Sequence, residues 1–284
     1  MTRILACVDG SRFSASVLDH AAWAARRINA SVEVIHVLDR PHATGRVTDF
    51  SGAMDIDFRE SLLEELTALD EQRSRLAQKQ GWLILDEARA RLTAAGVPTV
   101  EVHQLQGTVV DSITEMEADA DLVVIGKRGA SEDSARHHLG SNLERVVRAS
   151  KHPVLVAAEE FRPIERVLLA YDGGPSSQRA IERFARSQAV RDLACHLLMV
   201  GHEDVASRRI LDTAAATLRE AGYAVSASIE PGHVEQVIPA QIRQRQIDLL
   251  VMGAYGHSRI RELIIGSTTT AMLGVSPVSV LLFR

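Results

Sequence analysis

The chain contains the same unit twice. Arg3-Ile-Leu-Ala-Cys-Val-Asp9-Gly10-Ser-Arg-Phe-Ser14 resembles Arg166-Val-Leu-Leu-Ala-Tyr-Asp172-Gly173-Gly-Pro-Ser-Ser177, at an offset of 163 residues. Further on, Asp121-Leu-Val-Val-Ile-Gly126-Lys-Arg-Gly129 matches Asp248-Leu-Leu-Val-Met-Gly253-Ala-Tyr-Gly256 at an offset of 127, so the first copy holds 36 additional residues. Both copies close alike, on Pro153-Val-Leu-Val-Ala and Pro277-Val-Ser-Val-Leu. A repeat this long is a domain, and 284 residues divide into homologous units 1–160 and 161–284, each able to bury its own core.

Within each copy, short β-branched runs alternate with segments of helical period, the pattern of a parallel sheet covered by helices on both faces. Strands are predicted near 3–8, 32–38, 99–104, 121–126 and 153–157, and near 166–171, 194–200, 224–229, 248–253 and 278–283. Val17, Ala21, Ala25 and Ile28 recur at helical steps, as do Ile210, Ala214 and Leu218, and Gly96 and Gly222 read as helix C-caps. The two closing strands are expected to pair with each other, since short apolar edge strands need a partner for their backbone groups. Most of the extra length lies between Pro41 and Arg91, in a highly charged helical stretch with an apolar stripe of Leu62, Leu66, Leu69 and Leu76. It reads either as a helix that binds a partner or a membrane surface, or as one lying on its own domain with a solvated charged face. Mixed charge favours the second.

The 32 Lys and Arg against 37 Asp and Glu leave a net charge of −5, which disfavours a nucleic-acid face. Cys7 and Cys195 sit inside apolar runs and make no disulfide framework, so a reducing, cytoplasmic setting is expected. No apolar run approaches the roughly 18 residues of a membrane span.

The stretch Gly253-Ala-Tyr-Gly256-His-Ser-Arg-Ile-Arg-Glu-Leu-Ile-Ile-Gly266-Ser267-Thr268 has the makings of an anion cradle. Glycines allow close backbone approach and left-handed conformations, so that successive amides can face a phosphate. Ser267 and Thr268 would open the last helix, whose exposed amides and dipole favour negative charge, and a triphosphate suits such a surface. The alternative is that these glycines are simply turn residues. No Gly-Lys-Ser/Thr and no Gly-x-Gly-x-x-Gly is present, so neither a Walker loop nor a dinucleotide fingerprint is read. Ligands of open parallel sheets bind beyond the carboxyl ends of the strands, where Asp172, Val200 and Gly253 would lie. Asp172 could meet ribose or cap a helix; Val200 could wall an adenine or be plain core.

These residues resemble the universal stress proteins, in a tandem two-domain form, over essentially the whole chain. ATP-binding members of that family carry Gly-x2-Gly-x9-Gly-Ser/Thr after the fourth strand, matched here by Gly253, Gly256, Gly266 and Ser267. The family's strand-one Asp corresponds to Asp172, its adenine-side residue to Val200, and Met252 and Gly253 would line the floor. The resemblance implies an α/β fold of two doubly wound, five-stranded parallel-sheet domains, adenine nucleotide alpha hydrolase-like and related by a pseudo-twofold. It also implies ATP as ligand, with Mg2+ as its companion ion.

The first copy departs from the pattern. Gly129 and Gly140 enclose ten residues instead of nine, and Asn142 stands where the second copy has Thr268. Asp9, Val37, Gly126, Gly129, Gly140 and Ser141 are all present, so a variant loop is expected there and the two sites should be unequal. His137-His138 is the one adjacent histidine pair, and no Cys or carboxylate recurs at metal-ligand spacing. His257 and Ser258 lack a Gly-x-Ser-x-Gly nucleophile turn, and no His-x-Gly-His or Ser-Gly-Gly-x-Asp phosphate motif is found. The expected protein is a cytoplasmic ATP-binding stress or signalling protein with slow hydrolysis at most. It would act through a protein partner, with no nucleic acid and no membrane, as a monomeric pseudo-dimer or a homodimer. The alternative is a tandem scaffold or small-ligand sensor that binds no nucleotide.

Overall fold

Among the described residues, short runs rich in β-branched residues form ten strands, each at a position the repeat predicts. The first copy supplies β1 (Arg3–Cys7), β2 (Ser31–Leu38), β3 (Val100–Gln106), β4 (Leu122–Gly126) and β5 (Val154–Ala157). The second supplies β6 (Arg166–Ala170), β7 (Ala194–Val200), β8 (Val225–Glu230), β9 (Leu249–Gly253) and β10 (Ser279–Phe283). Between them run α1 (Ser14–Ile28), α2 (Ile56–Ala94), α3 (Val109–Met116) and α4 (Ser141–Ala149), then α5 (Pro175–Arg186), α6 (Val205–Glu220), α7 (Val234–Gln244) and α8 (Ser267–Val275). The structure, a computed structural model, describes residues 2–38, 56–129, 140–254 and 266–283; for residues 56–63 and Ser141 it describes the backbone only.

All ten strands join one sheet, in the order β3-β2-β1-β4-β5-β10-β9-β6-β7-β8. Each copy contributes five parallel strands in a doubly wound order, and the copies meet through β5 and β10. These two run antiparallel, with Val280 opposite Val156 and Leu281 opposite Leu155. The four residues of β5 are all buried apolar side chains, and pairing to β10 gives their backbone groups partners.

Alternation along the strands divides the core into two layers. Ile4 and Ala6 of β1 enter one apolar cluster, shared with α1, α2, α5 and α6; Leu5 enters the other, shared with α3, α4, α7 and α8. Both clusters continue across the β5–β10 seam. Side chains reinforce it: Arg27 of α1 donates to the carbonyls of Ala189 and Arg191 in the second copy. Gly96 and Gly222 take φ of +80° and +92° just past α2 and α6, the left-handed conformation that ends a helix.

The inserted helix departs from expectation. At 39 residues α2 is about 58 Å long, whereas the seven-residue strand beneath it runs only about 23 Å. Gly81, Leu85, Ala88 and Leu92 bury one face of its last third, where the helix lies over β2 and β3. Leu66, Leu69 and Leu76, expected to lie on the domain, are instead about half exposed; the side chain of Leu62 lies outside the described residues. Among the described residues no helix is long and apolar enough to cross a membrane.

Candidate functional site

In each copy the first strand ends in an Asp-Gly turn that starts the first helix. Asp9 Oδ1 accepts from the Ser11 amide at 3.0 Å and the Ser14 hydroxyl at 3.3 Å; Asp172 Oδ1 accepts from the Gly174 amide at 2.9 Å and the Ser177 hydroxyl at 2.5 Å. Gly10 and Gly173 have φ of +76° and +74°, which a side chain would strain. These turns hold both carboxylates at the carboxyl end of the sheet; Asp172 closes the turn before α5 and does not cap the helix, whose N-cap is Gly174 with no side-chain cap.

The fourth strands end at Gly126 and Gly253, where a Cβ would lie 2.8 Å from Phe13 Cβ and 2.5 Å from Ser176 Oγ respectively. Glycine is required there because the start of α1 or α5 packs directly on the strand end. At Gly129 a Cβ would lie 3.0 Å from Asp9 Oδ2, so close approach is built in there too.

The last helices begin at matching points. Gly140 donates to the Lys127 carbonyl and Gly266 to the Ala254 carbonyl, each at 3.4 Å. Their φ/ψ values are −56°/132° and −59°/139°, the ordinary N-cap conformation, so the left-handed backbone expected of these two glycines is not adopted. The reason is geometric: an N-cap residue belongs to the extended strand-to-helix link. No side chain among the described residues caps α4 or α8, which leaves first-turn amides available to an incoming acceptor, although in α4 the Leu143 amide already donates to the Gly140 carbonyl at 3.0 Å.

These elements enclose a cavity in each copy, beyond the carboxyl ends of the strands. The second has a volume of about 270 Å³ and is lined by Asp172, Val200, Met252, Gly253, Gly266, Ser267 and Thr268, together with Tyr171, Ser177, Val234, Ile238 and Thr269. The first, of about 360 Å³, is lined by Asp9, Val37, Gly126, Gly129 and Gly140, together with Phe13, His36, Arg128 and Asn142, and Ala77 of α2 reaches its edge. Ser141 opens α4. Gly256, His257, His137 and His138 lie outside the described residues, as does the extra residue of the first loop. Ser14 and Ser177 were legible as partners, since each stands five residues after its Asp; Val109 and Val234 likewise each stand two residues after a glycine.

The cavities differ in charge. Arg128 lines the first, while the described lining of the second carries no cation. Next to Arg128, Lys127 is pushed down to about 8, mainly by burial and then by the neighbouring guanidinium, and its Nζ donates to the Ser276 carbonyl beyond α8 at 2.9 Å. Burial raises the Cys7 thiol far above its ordinary value, with Asp9 and Glu117 adding to the effect, so it lines the first cavity as a neutral thiol. Glu33, Glu101 and His103 form a separate cluster on β2 and β3, in which Arg3 lies 3.0 Å from Glu33 and already balances its charge.

Helix-start amides with adjacent hydroxyls favour an anion, aliphatic walls suit a flat apolar ring, and a carboxylate at a strand end can accept from hydroxyls. The model of the Universal stress protein family matches residues 1–158 and 163–284. The universal stress protein Slr1230 of Synechocystis is 36% identical over 287 aligned residues that span all of both chains. The universal stress protein MT2052 of Mycobacterium tuberculosis is 31% identical over 186 residues, 63% of this chain and 56% of that one. Among solved structures, a universal stress protein from Archaeoglobus fulgidus has a TM-score of 0.73 at 24% identity, covering 99% of this chain and 97% of that one.

Proposed function

The chain belongs to the universal stress protein family in a tandem arrangement, and from that premise we propose that it binds ATP, primarily in the second copy, and acts in the cytoplasm as a stress or signalling protein through a protein partner. The observation that carries this reading is the uncapped start of α8, opening into a cavity lined by Asp172, Val200 and the Gly266-Ser267-Thr268 corner. Adenine would lie against Val200, Val234 and Ile238, over Met252 and Gly253. Asp172 would accept from ribose hydroxyls. The phosphates would take the amides of α8, the Ser267 and Thr268 hydroxyls, and the loop containing Gly256, with Mg2+ accompanying them as counter-ion. Asp9, Val37, Gly126, Gly129, Gly140 and Ser141 would serve the same roles in the first copy, in units divided at 160/161.

The reading is of retention with little or no turnover. Among the described lining residues of the second cavity Asp172 is the one carboxylate, and the turn already holds its Oδ1. A second reading, a scaffold without nucleotide, draws support from the same fact, together with the packing demand met by Gly253. Mass spectrometry of small molecules released from gently purified protein separates the two. An adenine nucleotide near one equivalent or more supports the proposal, and protein that carries none and gives no heat with ATP and Mg2+ overturns it.

A further inference from the structure

The exposed leucines of α2 recur with a period the domain does not use. Leu62, Leu69, Leu76 and Leu83 stand seven residues apart, with Leu66 between the first two. Five of the eight large exposed hydrophobic side chains among the described residues are Leu66, Leu69, Leu76, Trp82 and Leu83, all on this helix. The domain-facing stripe of Gly81, Leu85, Ala88 and Leu92 lies about 150° around the helix from Leu69, Leu76 and Leu83, so these exposed leucines point away from the protein's own core. From Leu62 to Leu83 the seam runs about 32 Å, three heptads, the minimum at which such a repeat reads as a coiled coil.

Charge along the helix says what covers that seam. Residues 56–71 carry six acidic side chains and one basic, and residues 72–79 carry three basic and no acidic. A parallel mate would set like against like: Glu65 would face Asp70 of the other copy, and Arg73 would meet Arg73 in the seam. An antiparallel mate whose seam is centred on Glu71 sets Leu66 against Leu76 and Leu69 against Arg73, with Glu65 flanking Lys79, each twice by symmetry. Asp70 then meets its own copy, with Arg73 of each chain 3.9 Å from that carboxylate to offset the repulsion.

We propose that α2 is a self-association arm, through which two copies of this chain pair antiparallel along the Leu62–Leu83 seam. This is independent of the ATP proposal, since the seam faces away from the domain and its cavity. The β5–β10 seam joins the halves of one chain; the arm joins chains.

The test is sedimentation equilibrium of the 284-residue chain up to about 100 μM, a range that detects a dimer of micromolar affinity. A dimer that Leu69→Glu with Leu76→Glu converts to monomer, with the helical circular-dichroism signal retained, supports the proposal. Glu65→Lys and Lys79→Glu should each weaken it about tenfold and together restore it, because each of two symmetric pairs is reversed and then re-formed. A monomeric wild type, as expected if a different protein or a lipid surface covers the seam, overturns it. So does a dimer indifferent to the leucine changes. Tighter pairing by Glu65→Lys alone, which would meet Asp70 in a parallel mate, overturns the antiparallel geometry.

Discussion

The Ser279 hydroxyl and His20 Nε2 lie 2.8 Å apart across the junction of the two copies, joining the last strand of the second to the first helix of the first. His20 Nδ1 is 2.7 Å from the Ser16 carbonyl and must donate to it, so Nε2 accepts from Ser279. Ser279 Oγ in turn accepts from the Ala158 amide at 2.9 Å, and Phe161 packs edge-on against the imidazole at 4.8 Å. Both His20 and Ser279 are buried, so each link of this relay replaces water. Ser279→Ala would leave the buried His20 Nε2 and the half-buried Ala158 amide without their partner, and is expected to destabilise the chain by about 1–3 kcal/mol in urea titrations.

Acid should weaken the fold through two buried histidines. Burial lowers the pKa of His20, and His196, between the Ser226 and Ser228 hydroxyls, is pushed down to about 4 by burial and then by Arg245. Because both folded values lie below the ordinary 6.5, the unfolded chain binds more protons in acid. Stability is therefore complete above about pH 6.5 and declines as pH falls below it, for His196 down to about 4 at up to about 1.4 kcal/mol per pH unit, with His20 acting in the same direction. Urea midpoints across that window should shift accordingly, and His196→Asn should flatten the slope.

Gly266→Asp should separate binding from folding. The N-cap of α8 has an ordinary φ of −59° and no side-chain cap, so an Asp there satisfies a first-turn amide and should raise stability by only a few tenths of a kcal/mol. The same carboxylate occupies the place proposed for phosphate and repels it, so ATP heat should vanish while the melting temperature holds or rises. Gly266→Ala should keep more of the affinity than Asp does.

Gly253→Ala is expected to act on the fold. Its Cβ would meet Ser176 Oγ at 2.5 Å and the Ser176 backbone carbon at 2.9 Å, forcing α5 away from β9. A loss of about 1–3 kcal/mol follows from such overpacking, with the matching loss in Gly126→Ala against Phe13. Thermal melts of the two variants, compared with Gly266→Ala, measure it.

The two cavities should bind ATP unequally. The first copy has one more residue between Gly129 and Gly140 than the second has between Gly256 and Gly266, while Gly140 and Gly266 make matching bonds to the Lys127 and Ala254 carbonyls, so the loop amides are expected to meet a phosphate differently. Losing a single charge-assisted hydrogen bond costs about 1.5–3 kcal/mol, about tenfold or more in affinity. In the intact chain, Gly140→Asp should leave the tighter site and Gly266→Asp the weaker one; equal titrations would count against the inequality.

Much of this was legible because the chain was copied. Asp9 with Asp172 and Gly126 with Gly253 could be aligned within one sequence, and that fixed the strands and brought the described lining residues of the second cavity together. The roles of single glycines were less legible. Composition cannot tell a glycine that turns the chain, such as Gly173, from one that admits a neighbour, such as Gly253, or one that starts a helix in an ordinary conformation, such as Gly266. The course of α2 was misread for a related reason. An apolar stripe reports that a face wants cover, and only length against the width of the sheet shows that its own domain cannot supply it.

The antiparallel β5–β10 pair also fixes stoichiometry. Separate single-domain chains would exchange partners, and their pairing would loosen on dilution; here the second half is present at the high local concentration its tether imposes. One cavity carrying Arg128 and Asn142 is thus always matched with one carrying Thr268, in a ratio that neither expression level nor subunit exchange can alter. Divergence of one half never has to be tolerated in both halves of a symmetric pair.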